Sequence, residues 1–329
     1  MRSDKIVLVI LICLIFRPPA APAQQDPASL PPVILKGIAY TLQMPIKDVT
    51  AADLPRVMWL DLNHADISDT DLAHLKVLTQ LKDLYLLGAK VSDAGLAPLE
   101  TLTQLQQLDL HQTQVSDAGL AHLKPLTSLQ TLGLNFTQVS DAGLVHLNPL
   151  KHLQRLNLAC TKVADAGLEH LKTLTQLNSL DLRGTQVSDV GLEHLKSLKQ
   201  LRMLDLSETK VSDAGLEHLK TLRQLRLFEL ESTKVGDSGL VHLKPLTQLK
   251  LLELSYTQVS DAGLAHLKTL TKLESLGLTN TKVTDAGLEY LKPLRNLQHL
   301  WLMDTKVTRA GVRAIEKHLP KCDARINDY

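Results

Sequence analysis

The sequence predicts an α/β solenoid, a curved parallel sheet on the concave side with short helices on the convex side, and three observations carry that prediction. The pattern L-x-x-L-x-L-x-x-T-x-V-S-D-A-G-L-x-H-L-K-x-L-T-x recurs every 24 residues from Val57 onward, in eleven units without insertion or deletion. Each unit opens on a period-two stretch such as Leu108-Asp109-Leu110 and continues into a helix-start signature, so strand and helix alternate. Aromatic residues are 3% of a chain that is 44% hydrophobic, so the core must be built mainly from one aliphatic side chain, leucine.

The units begin at Val57, Leu81, Leu105, Leu129, Leu153, Leu177, Leu201, Leu225, Leu249, Leu273 and Leu297. In the third unit Thr113 follows the strand at a bend and Val115 plugs the core. Ser116-Asp117-Ala118-Gly119 then supplies a small polar cap and a carboxylate for the positive end of a helix. Leu120 and Leu123 share one helical face. A single unit cannot bury its leucines, whereas stacked units can. Strands stack at about 4.8 Å and helices at about 8–10 Å, so the sheet must line the inside of an arc. Eleven strands then give a concave surface on the order of 50 Å long.

The chain divides into four parts: residues 1–23, 24–56, the repeats over 57–320, and a C-terminal cap over 321–329. The first part reads as an export signal, with Arg2 and Lys5 before an apolar run from Ile6 to Phe16 and the cleavage pattern Ala21-Pro22-Ala23. Eleven apolar residues reach about 16 Å as a helix, short of a hydrocarbon layer of about 30 Å. An uncleaved anchor is the alternative, given Asp4 and Arg17 at the ends of the run. Ile12 before Cys13 is too bulky for a lipidation site. Caps are expected at both ends, making the solenoid complete. Val33 to Gln43 looks helical, Thr50-Ala51-Ala52-Asp53 reads as a capping box, and a long helix through Val312 to His318 is expected before a last strand within Asp323 to Asn327. Cys160 and Cys322 lie nearly seven repeats apart, more than 30 Å at about 4.8 Å per strand, so two unpaired thiols are expected.

The repeated motif resembles the leucine-rich-repeat family over residues 57 to about 320, and the T-x-V-S-D-A-G-L segment is similar to its 24-residue bacterial varieties and to the cysteine-containing type. Those varieties put Cys or Asn where this chain has Thr. Three columns of identical residues follow from the period. Ten glycines from Gly95 to Gly311 are read as positions where a β-carbon would crowd the neighbouring unit. Nine carboxylates from Asp93 to Asp285, continued by Asp69, are read as helix caps. His74, His122, His146, His170, His194, His218, His242 and His266 form the third column. Its members sit on helices about 8–10 Å apart, too far for two to share a metal at about 2.1 Å, so packing or hydrogen bonding between repeats is the reading. An active site would need an irregular constellation that converges once. A His and Asp pair that recurs in unit after unit is architecture, so no catalytic residue, metal ligand set or cofactor is expected.

Function is therefore sought where units differ and side chains face outward. The fifth position of the repeat carries Asp181, Asp205, Glu229 and Glu253 on four adjacent strands, and Glu208 and Glu231 add to the charge. Met203, Leu227 and Leu251 run beside them in the third position, with Tyr256 at the edge. Further rings occur at Trp59, Tyr85, Phe136 and Trp301. An acidic stripe beside an apolar one suits a protein segment with basic and apolar residues. A solvated face, offset by Arg183, Arg202 and Arg226, is the simpler alternative. A net charge of +1 from 36 basic and 35 acidic residues gives a nucleic-acid partner no support. The expectation is an exported, non-catalytic module, periplasmic, cell-surface or secreted, that binds a protein on its concave face, with membrane attachment only if the leader stays uncleaved. The alternatives are a structural cell-envelope spacer, or a metal or small-ligand binder working through the histidine column.

Overall fold

A computed structural model describes residues 26–327; the predicted export leader and Cys13 lie outside the described residues. One parallel sheet of twelve strands, in sequence order, forms one side of the molecule. The strands are β1 (Trp59–Asp61), β2 (Asp83–Tyr85), β3 (Gln107–Asp109), β4 (Thr131–Gly133), β5 (Arg155–Asn157), β6 (Ser179–Asp181), β7 (Met203–Asp205), β8 (Leu227–Glu229), β9 (Leu251–Glu253), β10 (Ser275–Gly277), β11 (His299–Trp301) and β12 (Asp323–Arg325). Each pairs with the next at an offset of 24 residues, so equivalent positions stand side by side along the sheet. The twelfth strand is the one expected within Asp323 to Asn327, and it pairs with β11 through Leu300 and Ala324.

The core is a stack of leucines. Leu201, Leu204, Leu206, Leu216, Leu219 and Leu222 of the seventh repeat are fully buried, and Val211 plugs the bend as its counterparts do elsewhere. Phe228 takes the place of a leucine in the eighth repeat and is the largest fully buried side chain. On the outer side the expected short helices are tighter than α-helices in most repeats. A four-residue α-turn such as Asp117–Leu120 runs into a 3-10 segment such as Ala121–Leu123. Seven-residue α-helices form at Asp165–Leu171 and Asp213–Leu219. So few residues give at most two turns, and short runs adopt the tighter i→i+3 pattern readily.

The aspartate column corrects the sequence reading. These carboxylates do not cap their own helices; each reaches the next repeat. Asp93 Oδ1 accepts from the Ser116 backbone N–H at 2.7 Å and Oδ2 from the Ser116 hydroxyl at 2.6 Å. Ten such links run from Asp69 to Ser92 through Asp285 to Thr308. Where Ala164 lacks a hydroxyl only the backbone bond remains. Where Gly236 replaces the serine, Asp213 takes the Gly236 N–H and the Ser238 hydroxyl instead. The glycine column makes room for this ladder. A β-carbon on Gly119 would collide with Asp93 Oδ1, and the other nine glycines each face the preceding repeat's carboxylate in the same way. The expected crowding is therefore real, and its cause is a side-chain carboxylate. The buried threonines form a second internal column; Thr209 donates to the Leu206 carbonyl at 2.6 Å, closing the bend.

The residue before each of these threonines has a left-handed backbone, with φ between 54° and 57° at Phe136, Cys160, Glu208 and Tyr256, whereas Gly184 before Thr185, and Gly88 at the equivalent place before Ala89, meet the same demand without a side chain. At the N-terminal end, helix Pro32–Leu42 packs over β1, and Thr41 Oγ1 donates to the Trp59 carbonyl at 3.0 Å. Asp53 accepts from the Thr50 N–H and hydroxyl, as a capping box would, but it opens a turn and the 3-10 segment Leu54–Arg56 in place of a longer helix. At the far end, helix Arg309–His318 has ten residues, longer than the other repeat helices, as expected. Cys160 is half-buried and Cys322 buried, and both are free thiols. No helix among the described residues is long and apolar enough to cross a membrane.

Candidate functional site

The parallel register brings Asp181, Asp205, Glu229 and Glu253 into one row across β6, β7, β8 and β9. Neighbouring strands stand about 4.8 Å apart, so like charges directly opposite repel one another. Met203, Leu227 and Leu251 form the parallel row two residues earlier and are half-buried, less open than the sequence reading had them. Asp205 is also corrected: it is buried, 7% exposed, and its Oδ1 accepts from the Ser207 N–H at 2.8 Å. The longer Glu229 stands beside it on the next strand. Asp181 and Glu253 fold back in the same manner, onto the Arg183 and Ser255 N–H groups at 3.0 and 2.8 Å.

Among the described residues Glu229 accepts no such bond, and its environment shows the cost of the row. Burial, then the charges of Asp205, Glu253 and Asp181, push its carboxyl up to about 7, with Arg183 pulling the other way. Burial and Asp205 also raise the Asp181 carboxyl. The nearby guanidinium of Arg183 is engaged elsewhere, with Nη2 2.5 Å from Glu208 Oε1. Glu208 is therefore already paired within the chain, whereas Glu231 adds to the field at Arg183 without an ion pair of its own among the described residues. Tyr256 lies at the strand end of the ninth repeat, 48% exposed and with a left-handed backbone, a conformation that costs a bulky residue on the order of 1 kcal/mol. A third row flanks the apolar one: Arg202, Arg226 and Lys250 are all exposed, and Lys250 pairs with Glu274 at 2.7 Å. Basic, apolar and acidic rows thus run side by side across the strands.

A second feature of this face was not singled out from the sequence. A depression of about 370 Å³ opens over β3 to β6, lined by Tyr85, Asp109, His111, Gly133, Arg155 and Asp181 among others. Gly133 is its cause, because it stands in the fifth position between Asp109 and Asn157 and contributes no side chain. His111 and Phe136 stack on its border, ring centroids 5.4 Å apart, and Phe136 is 54% exposed. The signal in the sequence was the glycine itself, an interruption in a column of polar residues. Asp181 lines both the depression and the acidic row, so the two are continuous.

The histidine column remains on the outer flank. His122 Nδ1 lies 2.6 Å from Glu100 Oε1 of the preceding repeat, a bond of the kind expected, and burial with Lys124 nearby lowers the His146 imidazole. Among the described residues no group of three His, Cys, Asp or Glu side chains could hold a metal ion.

Residues 151–211 and 269–292 match two family models, each described as a leucine-rich repeat. The fold is similar to the crystal structure of an internalin from Listeria monocytogenes, with 25% identity, 94% of this chain and 99% of that one covered, and a TM-score of 0.63. A leucine-rich-repeat protein of Leptospira interrogans shares 20% identity over 84% of this chain and 73% of its own, with a TM-score of 0.62. A plant peptide hormone receptor, RGFR1 in complex with RGF2, shares the fold at 17% identity over 78% of this chain and 45% of its own, with a TM-score of 0.52. No curated protein matches the chain. Twelve stacked parallel strands and a leucine core thus form a leucine-rich-repeat fold, in agreement with the repeats that the family models match.

Proposed function

We propose that this chain is an exported, non-catalytic binding module that engages a protein partner on its concave face, over repeats six to nine. Leucine-rich repeats generally mediate protein–protein interaction. The observation that carries the finer reading is the in-register row Asp181, Asp205, Glu229 and Glu253 beside Met203, Leu227 and Leu251. Burial first, and then the neighbouring carboxylates, raise the Glu229 carboxyl to about 7, and a cationic partner would relieve the charge part of that cost. Its partner contacts are Asp181, Glu229, Glu231 and Glu253 for charge, Met203, Leu227 and Leu251 for apolar area, and Tyr256 with Glu208 at the edge. Buried Asp205 acts through the field it adds to the row. Export rests on the leader, with its basic start, short apolar run and small-residue cleavage pattern.

The test is charge reversal at Glu229, Glu231 and Glu253 together, which leaves buried Asp205 in place. Capture of a protein partner from a native extract by residues 24–329 is expected to be lost, while capture by a variant reversed at Glu169, Glu193 and Glu217 on the outer flank is retained. Unchanged capture by the first variant would remove this face as the site. An N-terminal residue at Gln24 in the exported protein supports the leader assignment, and a retained Met1 contradicts it.

A further inference from the structure

The rows of this face have a definite spacing, and that spacing restricts the conformation of whatever lies along them. Equivalent residues step by one strand, about 4.8 Å, and two steps cover about 9.6 Å, drawing in slightly above a concave sheet. A partner that follows the rows crosses the strands, and its own repeat must match one or two of those steps. An extended β-strand returns a side chain to the same face every 6.6–6.8 Å or so, which fits neither distance. An α-helical turn of about 5.4 Å overshoots one step by roughly 0.6 Å and drifts by almost 2 Å over the three steps from Asp181 to Glu253. A polyproline II helix turns in three residues of about 3.1 Å each, or about 9.3 Å, within roughly 0.3 Å of two steps.

The chemistry of the rows then assigns the three faces of such a segment. The acidic and apolar rows lie two residues apart on each strand, at about 6.7 Å, so adjacent faces of one thin left-handed helix can meet both. Exposed Arg202 and Arg226 on the far side of the apolar row disfavour a cation there, which fixes which row the basic residues take. Arg183, held by Glu208, offsets the acidic row only in part, because the Glu229 carboxyl stays raised despite it.

Building on the concave-face reading above, we propose that the occupant is an extended segment of another protein in the polyproline II conformation. It runs across β6 to β9 and carries a basic residue at every third position with an apolar residue beside it. The third residue of each turn faces away from the sheet, where proline is free to sit because this conformation makes no internal hydrogen bonds.

Three labelled peptides test the proposal by fluorescence anisotropy on residues 24–329. The first is Arg-Leu-Pro repeated three times. The second has the same composition with arginine and leucine alternating before three prolines, and the third is an alanine-rich helix with three arginines four residues apart. The first is expected to bind about tenfold or more tightly than the others, as loss of register removes at least one charged and one apolar contact. That advantage should vanish in the near-isosteric variant Asp205→Asn, Glu229→Gln, Glu253→Gln, which relieves repulsion and leaves the fold intact. It should also shrink in Leu227→Thr. Equal binding of the three peptides, or an advantage that survives the triple variant, overturns the proposal. If charge reversal abolishes partner capture while the first peptide shows no advantage, the binding face stands and the extended occupant is refuted.

Discussion

Replacing Gly119 with alanine isolates the link between the glycine and aspartate columns. At most exposed helix positions Gly→Ala stabilises by about 0.5–1 kcal/mol, because alanine loses less backbone freedom on folding. Here the new β-carbon would collide with Asp93 Oδ1 and stand 3.1 Å from Val115 Cγ1 and 3.2 Å from Asp93 Cγ. The carboxylate must withdraw, and it gives up the Ser116 N–H and hydroxyl that it holds at 2.7 and 2.6 Å. Hydrogen bonds to a charged group are worth about 1.5–3 kcal/mol each, toward the lower end for half-buried groups such as these. Subtracting the alanine gain leaves a net loss of about 2–3 kcal/mol. Asp93→Ala should cost a similar amount, and Gly119→Ala made in that background should be close to neutral. Urea and thermal denaturation of the four proteins complete a double-mutant cycle with an expected coupling of about 2 kcal/mol. Additive effects, or a Gly119→Ala variant more stable than the parent, would refute the ladder as the reason for the glycines.

Two further predictions concern titration. The Glu229 carboxyl is raised from its ordinary 4.5 to about 7, so ionising it opposes folding. That penalty is present above pH 7, fades as the pH falls toward 4.5, and is absent below it. Glu229→Gln should therefore raise Tm at pH 8 and leave it unchanged at pH 4.5; after discounting for solvent screening the gain is about 1–2 kcal/mol, and no gain at pH 8 would contradict the crowding of the row. Burial pushes the Cys322 thiol up to about 11 and also raises Cys160. At pH 8 the folded protein should react with a thiol reagent more slowly than free cysteine, Cys322 slowest of all, and both should react at the ordinary rate in denaturant. Fast labelling of Cys322 in the native state would place it outside the C-terminal core.

The architecture was legible because one 24-residue pattern runs through eleven units, and the bend, the leucine core and the last strand followed from it. The ladder was not legible, for a specific reason. Ser116 and Asp117 have the chemistry of a helix cap, and nothing local reveals that Ser116 answers to Asp93, 23 residues earlier. Equivalent positions come within reach only once the strands stack. The row at Asp181, Asp205, Glu229 and Glu253 could be read from register alone, yet the burial of Asp205 could not, since it depends on the taller Glu229 beside it and on the Ser207 N–H beneath its carboxylate. The depression over Gly133 escaped for a related reason. A missing side chain becomes a feature only when the neighbouring strands, with Asp109 and Asn157, supply its walls.

The most direct test of the concave face as the binding surface is site-specific photo-crosslinking. A benzophenone side chain in place of Leu227, on the sheet, or in place of Lys220, on the outer flank, probes the two sides of the same repeat stack. Crosslinking of a single protein partner from Leu227, lost when Glu229, Glu231 and Glu253 are reversed in charge, is the expected result. Crosslinking from Lys220 with none from Leu227 would mean that the partner is held on the convex side and that the acidic row is only a solvated face.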